Sequence, residues 1–536
     1  YWVAEESAEP AQLSSRAVKQ QRLLNYLIGC GRPMTRAEIK DAGFDTSPLR
    51  VLEEKKLVRE LTLTDTGSQR PAASIVTQQK FSLNEEQQAA VRQINSNVHN
   101  SAYLLAGVTG SGKTEVYFQA IEKPLRLGKQ ALILVPEIGL TPQLVSRFQA
   151  RFNCQIVCMH SGMSDRVRFQ AWMAARSGSA KIIIGTRSSI FVPLANPGII
   201  LIDEEHDSSL KQQDGFRYNA RDLALLRAHK LGIPIILGSA TPSLESMRNA
   251  SLGRSQLLEL KDRAGGALPP DFKLIDVRHE ALDAGLSQRV IQAIQQHLAA
   301  GNQALVFINR RGFSPSLICQ TCGSPVDCTR CDAHMTLHKS PPHLHCHHCD
   351  RQTPIPRSCH QCGSTDFKPS GTGTERVEDR LMQIFEKVPI HRVDRDTTHS
   401  RIAFDRLISE VNKGEPCILV GTQMLAKGHH FPSVTLVCIL NADAGLFSSD
   451  FRGMERMAQL TLQVAGRAGR AQHPGTVLLQ TMNSEHPLLQ TLLEQGYMEF
   501  AEEELTTRRL SLLPPFTYQA LIHAEARKQG WAEAYL

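Results

Sequence analysis

The sequence predicts an α/β protein built on two parallel sheets, each covered by helices. Three observations predict it. From about Phe81 onward, short apolar runs of strand length alternate with helical patterns. Those runs are apolar almost throughout instead of alternating, as in strands buried on both faces. They fall into two sets on either side of a Gly/Pro-rich joint, Gly265-Gly266-Ala267-Leu268-Pro269-Pro270.

At about 150 residues per domain, a chain of 536 residues predicts three to four domains. Hydrophobic residues at 41% and charged residues at 21% exclude a disordered chain. No apolar run approaches the ~20 residues that a membrane-spanning helix needs. The formal charge of +7 argues little by itself, since only a local basic groove would favour nucleic acid. The chain opens at Tyr1 with neither an initiator Met nor a signal-type apolar core, and stops at Tyr535-Leu536 in a stretch that still reads as structured. That predicts a piece of a longer protein.

Residues 1–75 read as a small helical unit. Leu23 to Leu27, Met34 to Ile39 and Pro48 to Leu52 have helical spacing, and Leu57 to Thr62 reads as a strand. Three short helices and a strand make a winged-helix-like DNA-binding unit. The same residues also fit a helical packing module. A polar linker from Thr66 to Lys80 follows.

The first α/β domain is expected over residues 80–265. Its strands are Ala102–Ala106, Ala131–Val135, Lys181–Ile184, Ile199–Ile202 and Ile235–Leu237. The second occupies 271–312 and 371–485, with strands Ala304–Ile308, His391–Val393, Cys417–Val420, Thr435–Leu440 and Thr476–Gln480. A Cys-rich stretch, 313–370, interrupts it after its first strand, and 486–536 begins a C-terminal domain.

The strongest single motif is Gly107-Val108-Thr109-Gly110-Ser111-Gly112-Lys113-Thr114. It follows a strand and precedes a helical pattern, the setting in which backbone N–H groups wrap phosphates. Lys113 would reach the β- and γ-phosphates, and the Thr114 hydroxyl would ligate Mg²⁺. Asp203-Glu204-Glu205-His206 follows the strand Ile199–Ile202, where an acidic residue can hold Mg²⁺ beside the phosphate loop. Asp203 takes that role, and Glu204 can orient and deprotonate the attacking water. Upstream, Gln87 offers a paired donor and acceptor for an adenine edge. An exposed Gln at a helix start is the plain alternative.

Further short motifs follow in order: Pro136 to Gln143, Gly185-Thr186-Arg187-Ser188, Gly238-Ser239-Ala240-Thr241-Pro242, Gly421-Thr422-Gln423 and Gln463 to Arg470. Together with the two preceding motifs they resemble the superfamily 2 helicases. Gln463, Arg467 and Arg470 lie in the second domain, where a guanidinium could complete the nucleotide site on closure. Arg470 is the first candidate for that finger and Arg467 the second. Ser239 and Thr241 could link hydrolysis to closure. Thr141, Thr186, Arg187 and Thr422 offer hydroxyls and charge to a phosphodiester backbone, or simply cap helices and turns. Lys211, Phe216, Arg217 and Tyr218 set two aromatics and two cations around Gly215, a pattern that can stack and neutralise single-stranded DNA. Such aromatics could also pack against the domain.

Eight of the 13 cysteines form four Cys-x-x-Cys pairs: Cys319/Cys322, Cys328/Cys331, Cys346/Cys349 and Cys359/Cys362. Each pair lets one turn place two sulfurs on a tetrahedral metal, so eight make two four-thiolate Zn²⁺ sites. Spacing alone allows three pairings. Without a secretory signal, clustered pairs suggest metal thiolates in a reducing cytosol. Cys30, Cys154, Cys158, Cys417 and Cys438 read as buried or inert.

From about Leu83 to Leu536 the whole set resembles the PriA family of bacterial replication-restart DNA helicases. The matching stretches are Ala106 to Glu115, Asp203-Glu204-Glu205-His206-Asp207, Gln423 to Pro432 and the cysteine insertion in the second domain. The resemblance implies two RecA-like domains and an ATP-dependent 3′→5′ DNA helicase with Mg²⁺ and two Zn²⁺. It implies action at stalled or branched forks and primosome assembly, with forked and single-stranded DNA, single-stranded-DNA-binding protein and other primosome proteins as partners. A bacterial cytoplasmic, nucleoid-associated place and no membrane follow from it. It also favours nested zinc pairing: Cys319, Cys322, Cys359 and Cys362 on one ion, and Cys328, Cys331, Cys346 and Cys349 on the other. Gly453-Met454 and Thr461-Leu462 depart from the family pattern. Two rival readings are an RNA-directed motor, which backbone-facing motifs do not exclude, and a zinc-stabilised fork-binding scaffold with a regulatory nucleotide pocket. The hydrolytic residues argue against the scaffold.

Overall fold

A computed structural model describes residues 82–96, 101–136, 142–264, 269–308, 374–393, 407–422, 433–446, 450–468 and 475–520, most of 2–60 and 317–369, and a few single positions besides. The chain divides into two compact units, Tyr1–Ser74 and Ile75–Leu536.

In the smaller unit, strand β1 (Trp2–Ala4) pairs antiparallel with β2 (Val58–Glu60). Helices Val18–Cys30 and Pro48–Glu54 cover them. Leu23, Leu24 and Leu27 lie on one helical face and meet Trp2, Leu49 and Leu52 in a closed core. Met34 departs from the expected helix. Its N–H and C=O both bond to Trp2, at 2.8 and 2.7 Å, so it extends the small sheet. Residues 35–38 of that expected helix and the polar linker lie outside the described residues.

The larger unit holds two parallel sheets. The first comprises β3 (Ala102–Gly107), β4 (Gln130–Leu134), β5 (Ile156–Met159), β6 (Ile182–Gly185), β7 (Pro197–Asp203), β8 (Ile235–Ser239) and β9 (Gln256–Leu260). Their order is β5-β6-β4-β7-β8-β3-β9. β7, β8 and β3 are neighbours, so the segments leaving their C-terminal ends converge on one place, where ligands bind in such sheets. The second sheet begins with β10 (Asp271–Asp276) and β11 (Gln303–Ile308). The Cys-rich module then supplies β12 (Leu317–Cys319), β13 (Thr336–Lys339), β14 (Pro342–His345), β15 (Gln352–Thr353) and β16 (Phe367–Pro369), in two small antiparallel sheets. The second sheet resumes with β17 (Ile390–Val393), β18 (Ile418–Gly421), β19 (Val434–Leu440) and β20 (Thr476–Thr481), in the order β10-β20-β19-β11-β18-β17. The module therefore follows the second strand of that sheet, not the first.

Three strands of the two parallel sheets escape the sequence pattern, β5, β9 and β10, and all three are sheet edges. An edge strand is half solvated, so it need not be apolar throughout. Asp271-Phe272-Lys273-Leu274 alternates, and Glu259 of β9 is exposed.

Helices Pro487–Glu494 and Tyr497–Leu510 follow β20. Leu492, Tyr497, Phe500 and Ala501 share one core with Leu244 and Met247 of the first sheet's side. Buried charges join the same junction. Arg508 donates to Glu504 and Glu455, each at 3.0 Å, and Glu455 accepts the Leu244 N–H at 3.0 Å. Tyr497 donates its hydroxyl to the Pro242 carbonyl at 2.6 Å. Among the described residues no helix is long and apolar enough to cross a membrane.

Candidate functional site

The phosphate loop leaves β3 and enters helix Lys113–Arg126. Gly110 and Gly112 adopt φ of +85° and +80°, which a side chain would resist. Lys113 Nζ donates to the Gly107 carbonyl at 2.6 Å, bringing the ammonium back over the loop. Burial pushes that ammonium's pKa down, and the nearby Glu204 and Asp203 carboxylates oppose the shift. Ser111 Oγ is buried with no hydrogen-bond partner among the described residues. A loop with an orphan buried hydroxyl, a folded-back ammonium and a glycine cradle fits a polyphosphate.

Gln87 is buried, not exposed. Its Oε1 accepts the Asn84 N–H at 3.0 Å while Asn84 Oδ1 accepts the Gln87 N–H at 2.9 Å, a reciprocal helix cap. Its Nε2 donates to the Ser111 carbonyl at 2.7 Å. A Cβ at Gly112 would come within 2.5 Å of that nitrogen. Gln87 thus ties the helix before β3 to the phosphate loop.

Asp203 ends β7 beside the loop. Burial, then the Glu204 charge, raises its pKa to about 6, with Lys113 pulling the other way. Two close carboxylates at the end of a buried strand have the electrostatics that a divalent cation relieves, so Asp203 fits Mg²⁺. Tyr117, which the sequence reading missed, donates its hydroxyl to Asp203 Oδ1 at 2.9 Å. A Cβ at Gly238 would lie 1.7 Å from that hydroxyl, so glycine there is what lets Tyr117 reach Asp203. Glu204 has φ +49°, a strained value for a residue with a side chain.

His206, quoted in the acidic motif without a role, is the hub of the cleft. Its Nδ1 lies 2.7 Å from Ser239 Oγ and its Nε2 lies 2.7 Å from Gln463 Nε2. An imidazole with its proton on Nδ1 satisfies both, donating to Ser239 and accepting from Gln463. Ser239 Oγ also accepts the Thr241 N–H at 2.9 Å. Gly466, part of the Gln463 to Arg470 motif but given no role there, packs on the phosphate loop: a Cβ there would fall 2.7 Å from Thr109 Cγ2. The two halves are therefore closed on each other at Gln463 and Gly466. Arg467 is half-buried next to that contact. Arg470 lies outside the described residues.

Of the nucleic-acid candidates, Thr141 lies outside the described residues, Thr186 is buried, and Thr422 is half-buried after β18. Arg187 Nη1 donates to the Ser209 and Lys211 carbonyls, both at 3.0 Å, and so props the loop that follows the acidic motif. In that loop Lys211, Phe216 and Arg217 are exposed, and Phe216 stacks on Tyr218 with ring centres 5.9 Å apart.

The sulfurs of Cys319, Cys322, Cys359 and Cys362 all lie within 4.8 Å of one another. Cys319–Cys362 is 3.5 Å and Cys322–Cys359 is 3.6 Å. Zinc–sulfur bonds of about 2.3 Å give tetrahedral edges of about 3.8 Å, so the four thiolates fit one zinc ion. Cys328 and Cys346 are buried together in the module's small core. Cys331 and Cys349 lie outside the described residues.

Three protein families match along the chain: DEAD/DEAH box helicase over residues 84–250, the PriA DNA helicase Cys-rich region over 328–354, and the helicase conserved C-terminal domain over 371–472. Replication restart protein PriA of Haemophilus influenzae is 46% identical over 523 residues, covering 97% of this chain and 71% of that protein. The Bacillus subtilis protein of the same name is 39% identical, covering 98% and 67%. Among solved structures, RecG bound to a three-way DNA junction gives a TM-score of 0.47 at 18% identity, covering 80% of this chain and 47% of that one.

Proposed function

The chain belongs to the PriA family of replication restart proteins, and from that premise we propose that this ATP-dependent DNA helicase moves 3′→5′, acts at stalled or branched forks and promotes primosome assembly. The observation that best supports a motor is the closed cleft. Gln463 bonds His206, three residues after Asp203, and Gly466 touches Thr109 of the phosphate loop. Nucleotide chemistry and the relative position of the two halves thus share atoms.

In this reading Lys113 and the N–H groups of Gly107, Thr109, Gly110, Ser111 and Gly112 bind the phosphates. Mg²⁺ on Thr114 and Asp203 supplies positive charge at the phosphate oxygens. Glu204 orients the attacking water and takes its proton. Gln87, held to the Ser111 carbonyl, senses the adenine. Arg470, with Arg467 second, brings a guanidinium to the γ-phosphate when the halves close. Ser239 and His206 pass the state of that site to Gln463. Thr141, Arg187 and Thr422 follow the backbone of the strand, and Lys211, Phe216, Arg217 and Tyr218 meet its bases, while the buried Thr186 shapes the turn after β6 instead. Cys319, Cys322, Cys359 and Cys362 hold one zinc ion, and Cys328, Cys331, Cys346 and Cys349 a second. Residues 1–75 contact DNA as a winged-helix-like unit. Single-stranded-DNA-binding protein and the other primosome proteins are the partners.

ATP hydrolysis measured without nucleic acid, with single-stranded DNA, with forked DNA and with RNA of equal length tests the substrate class. Stimulation by DNA, greatest with forks, is expected. Stimulation by RNA alone would move the substrate class. Unwinding of duplexes carrying a 3′ or a 5′ tail tests polarity, and opening only the 5′-tailed duplex would reverse it.

A further inference from the structure

Arg187–Phe191 forms a single turn of 3-10 helix after β6, and its last residue has no role in the cleft. Phe191 is 56% exposed and Phe216 77% exposed, large values for such rings. They are not scattered. Phe191 meets Tyr218 edge to face with ring centres 4.9 Å apart, and Tyr218 stacks on Phe216 at 5.9 Å. Phe191 is also held firmly. Arg227, on helix Ala220–Leu231, donates one nitrogen to the Ile190 carbonyl and the other to the Val192 carbonyl at 2.7 Å. A two-pronged grip on both sides of an exposed phenyl ring keeps it exposed, and a ring fixed in place loses little freedom on binding.

The loop that carries the other two rings is equally constrained. Lys211 and Asn219 form a β-bridge at its base, the Gln212 N–H bonds the Tyr218 carbonyl at 2.8 Å, and Arg187 props it from below. Lys211 and Arg217 stand exposed beside the rings.

We propose that Phe191 is the third ring of a stacking platform with Phe216 and Tyr218, built to take unpaired bases of a single strand while Lys211 and Arg217 neutralise its phosphates. Only a single strand offers free base faces, and every base has one, so the platform binds without regard to sequence. Phe191 lies 70° from Tyr218, whereas Phe216 lies 29° from it. The exposed faces of Phe191 and Phe216 are therefore not parallel, and a strand stacked on both bends between them. The platform rests on the reading of the Lys211–Tyr218 loop as a nucleic-acid contact.

The test is binding of an oligo-dT strand and of an abasic strand of equal length to the whole chain and its variants. Phe191→Ala should weaken dT binding about fivefold or more, with little effect on the abasic strand. Phe191→Trp should keep dT affinity, and its fluorescence should be quenched by dT but not by the abasic strand. If Phe216→Ala weakens dT binding and Phe191→Ala does not, the platform ends at the loop and the inference is overturned. Phe191→Trp emission indifferent to dT overturns it independently of folding. If neither alanine variant weakens binding, the loop is no nucleic-acid contact and the inference falls with that reading.

Discussion

The nucleotide cleft and the cysteine module are held together by different physics. In the cleft, the bond between His206 and Gln463 joins residues 257 apart in sequence, and that between Leu244 and Glu455 joins residues 211 apart. Large apolar cores under both sheets hold those partners in register. Among the described residues the module's buried core holds Leu317, Cys328, Met335, Leu344 and Cys346, with Val326, Leu337 and Phe367 packed on it, and its sulfur pairs span about forty residues, 43 for Cys319 and Cys362. So small a core cannot offset the entropy of ordering its chain without a staple. The cleft stands on packing, and the module stands on metal.

That contrast breaks first if zinc is withdrawn. A structural zinc ion is worth on the order of 10 kcal/mol of folding free energy in small domains. Chelation, or Cys319→Ser, should therefore unfold the module, seen as rapid amide exchange over residues 317–369 with loss of bound zinc. ATP hydrolysis should largely survive, because no described module residue reaches the cleft. Slow exchange in metal-free protein would mean that the module's packing suffices and the comparison is wrong.

Within the cleft the largest effect is expected at Glu204. Glu204→Gln keeps the shape and the strained backbone but removes the proposed base, so hydrolysis should fall by about 10²–10⁴-fold. ATP binding, followed with a fluorescent analogue, should persist. Near-normal turnover would place the base elsewhere.

The same contrast explains what could be read beforehand. Phosphate loops, strand-end carboxylates and Cys-x-x-Cys turns are local, so their chemistry lies in consecutive residues. The apolar strands of both sheet interiors were legible for the same reason, and the edge strands β9 and β10 were not, because half-solvated strands lack the continuous apolar run. The roles of Tyr117, His206 and Gly466 were illegible because they lie in a partner. Tyr117 is an ordinary helix residue until Gly238 clears space for it. Gly466 is one glycine among 36 until Thr109 is found against it. Gln87 was expected to offer its amide to an adenine edge, and its bond to the Ser111 carbonyl was not foreseen.

His206 sharpens the comparison at the joint between the halves. His206→Ala leaves Gln463 Nε2 without its partner and Ser239 Oγ with only the Thr241 N–H, losses that together cost about 2–3 kcal/mol. DNA-stimulated hydrolysis should drop by about 30- to 150-fold while ATP binding changes little. Combining it with Gln463→Ala should cost hardly more than His206→Ala alone, since the contact between the two is already broken. Additive losses would show that the two residues act separately and that closure is read elsewhere.

The smallest effect should come from Tyr117→Phe, and it asks whether the cleft depends on single hydrogen bonds as the module depends on single sulfurs. The Tyr117 hydroxyl donates to Asp203 Oδ1 and so fixes which way the other carboxylate oxygen points. Losing such an orienting bond lowers metal affinity by about tenfold. The Mg²⁺ concentration for half-maximal hydrolysis should rise by that factor, with the rate at saturating Mg²⁺ nearly restored. A fall that saturating Mg²⁺ does not repair would mean that Tyr117 supports Glu204 or the loop instead of the metal ligand. The packed network does not fail at one missing bond, because Asp203 keeps its place at the end of a buried strand; a cysteine removed from a four-thiolate site leaves nothing comparable behind.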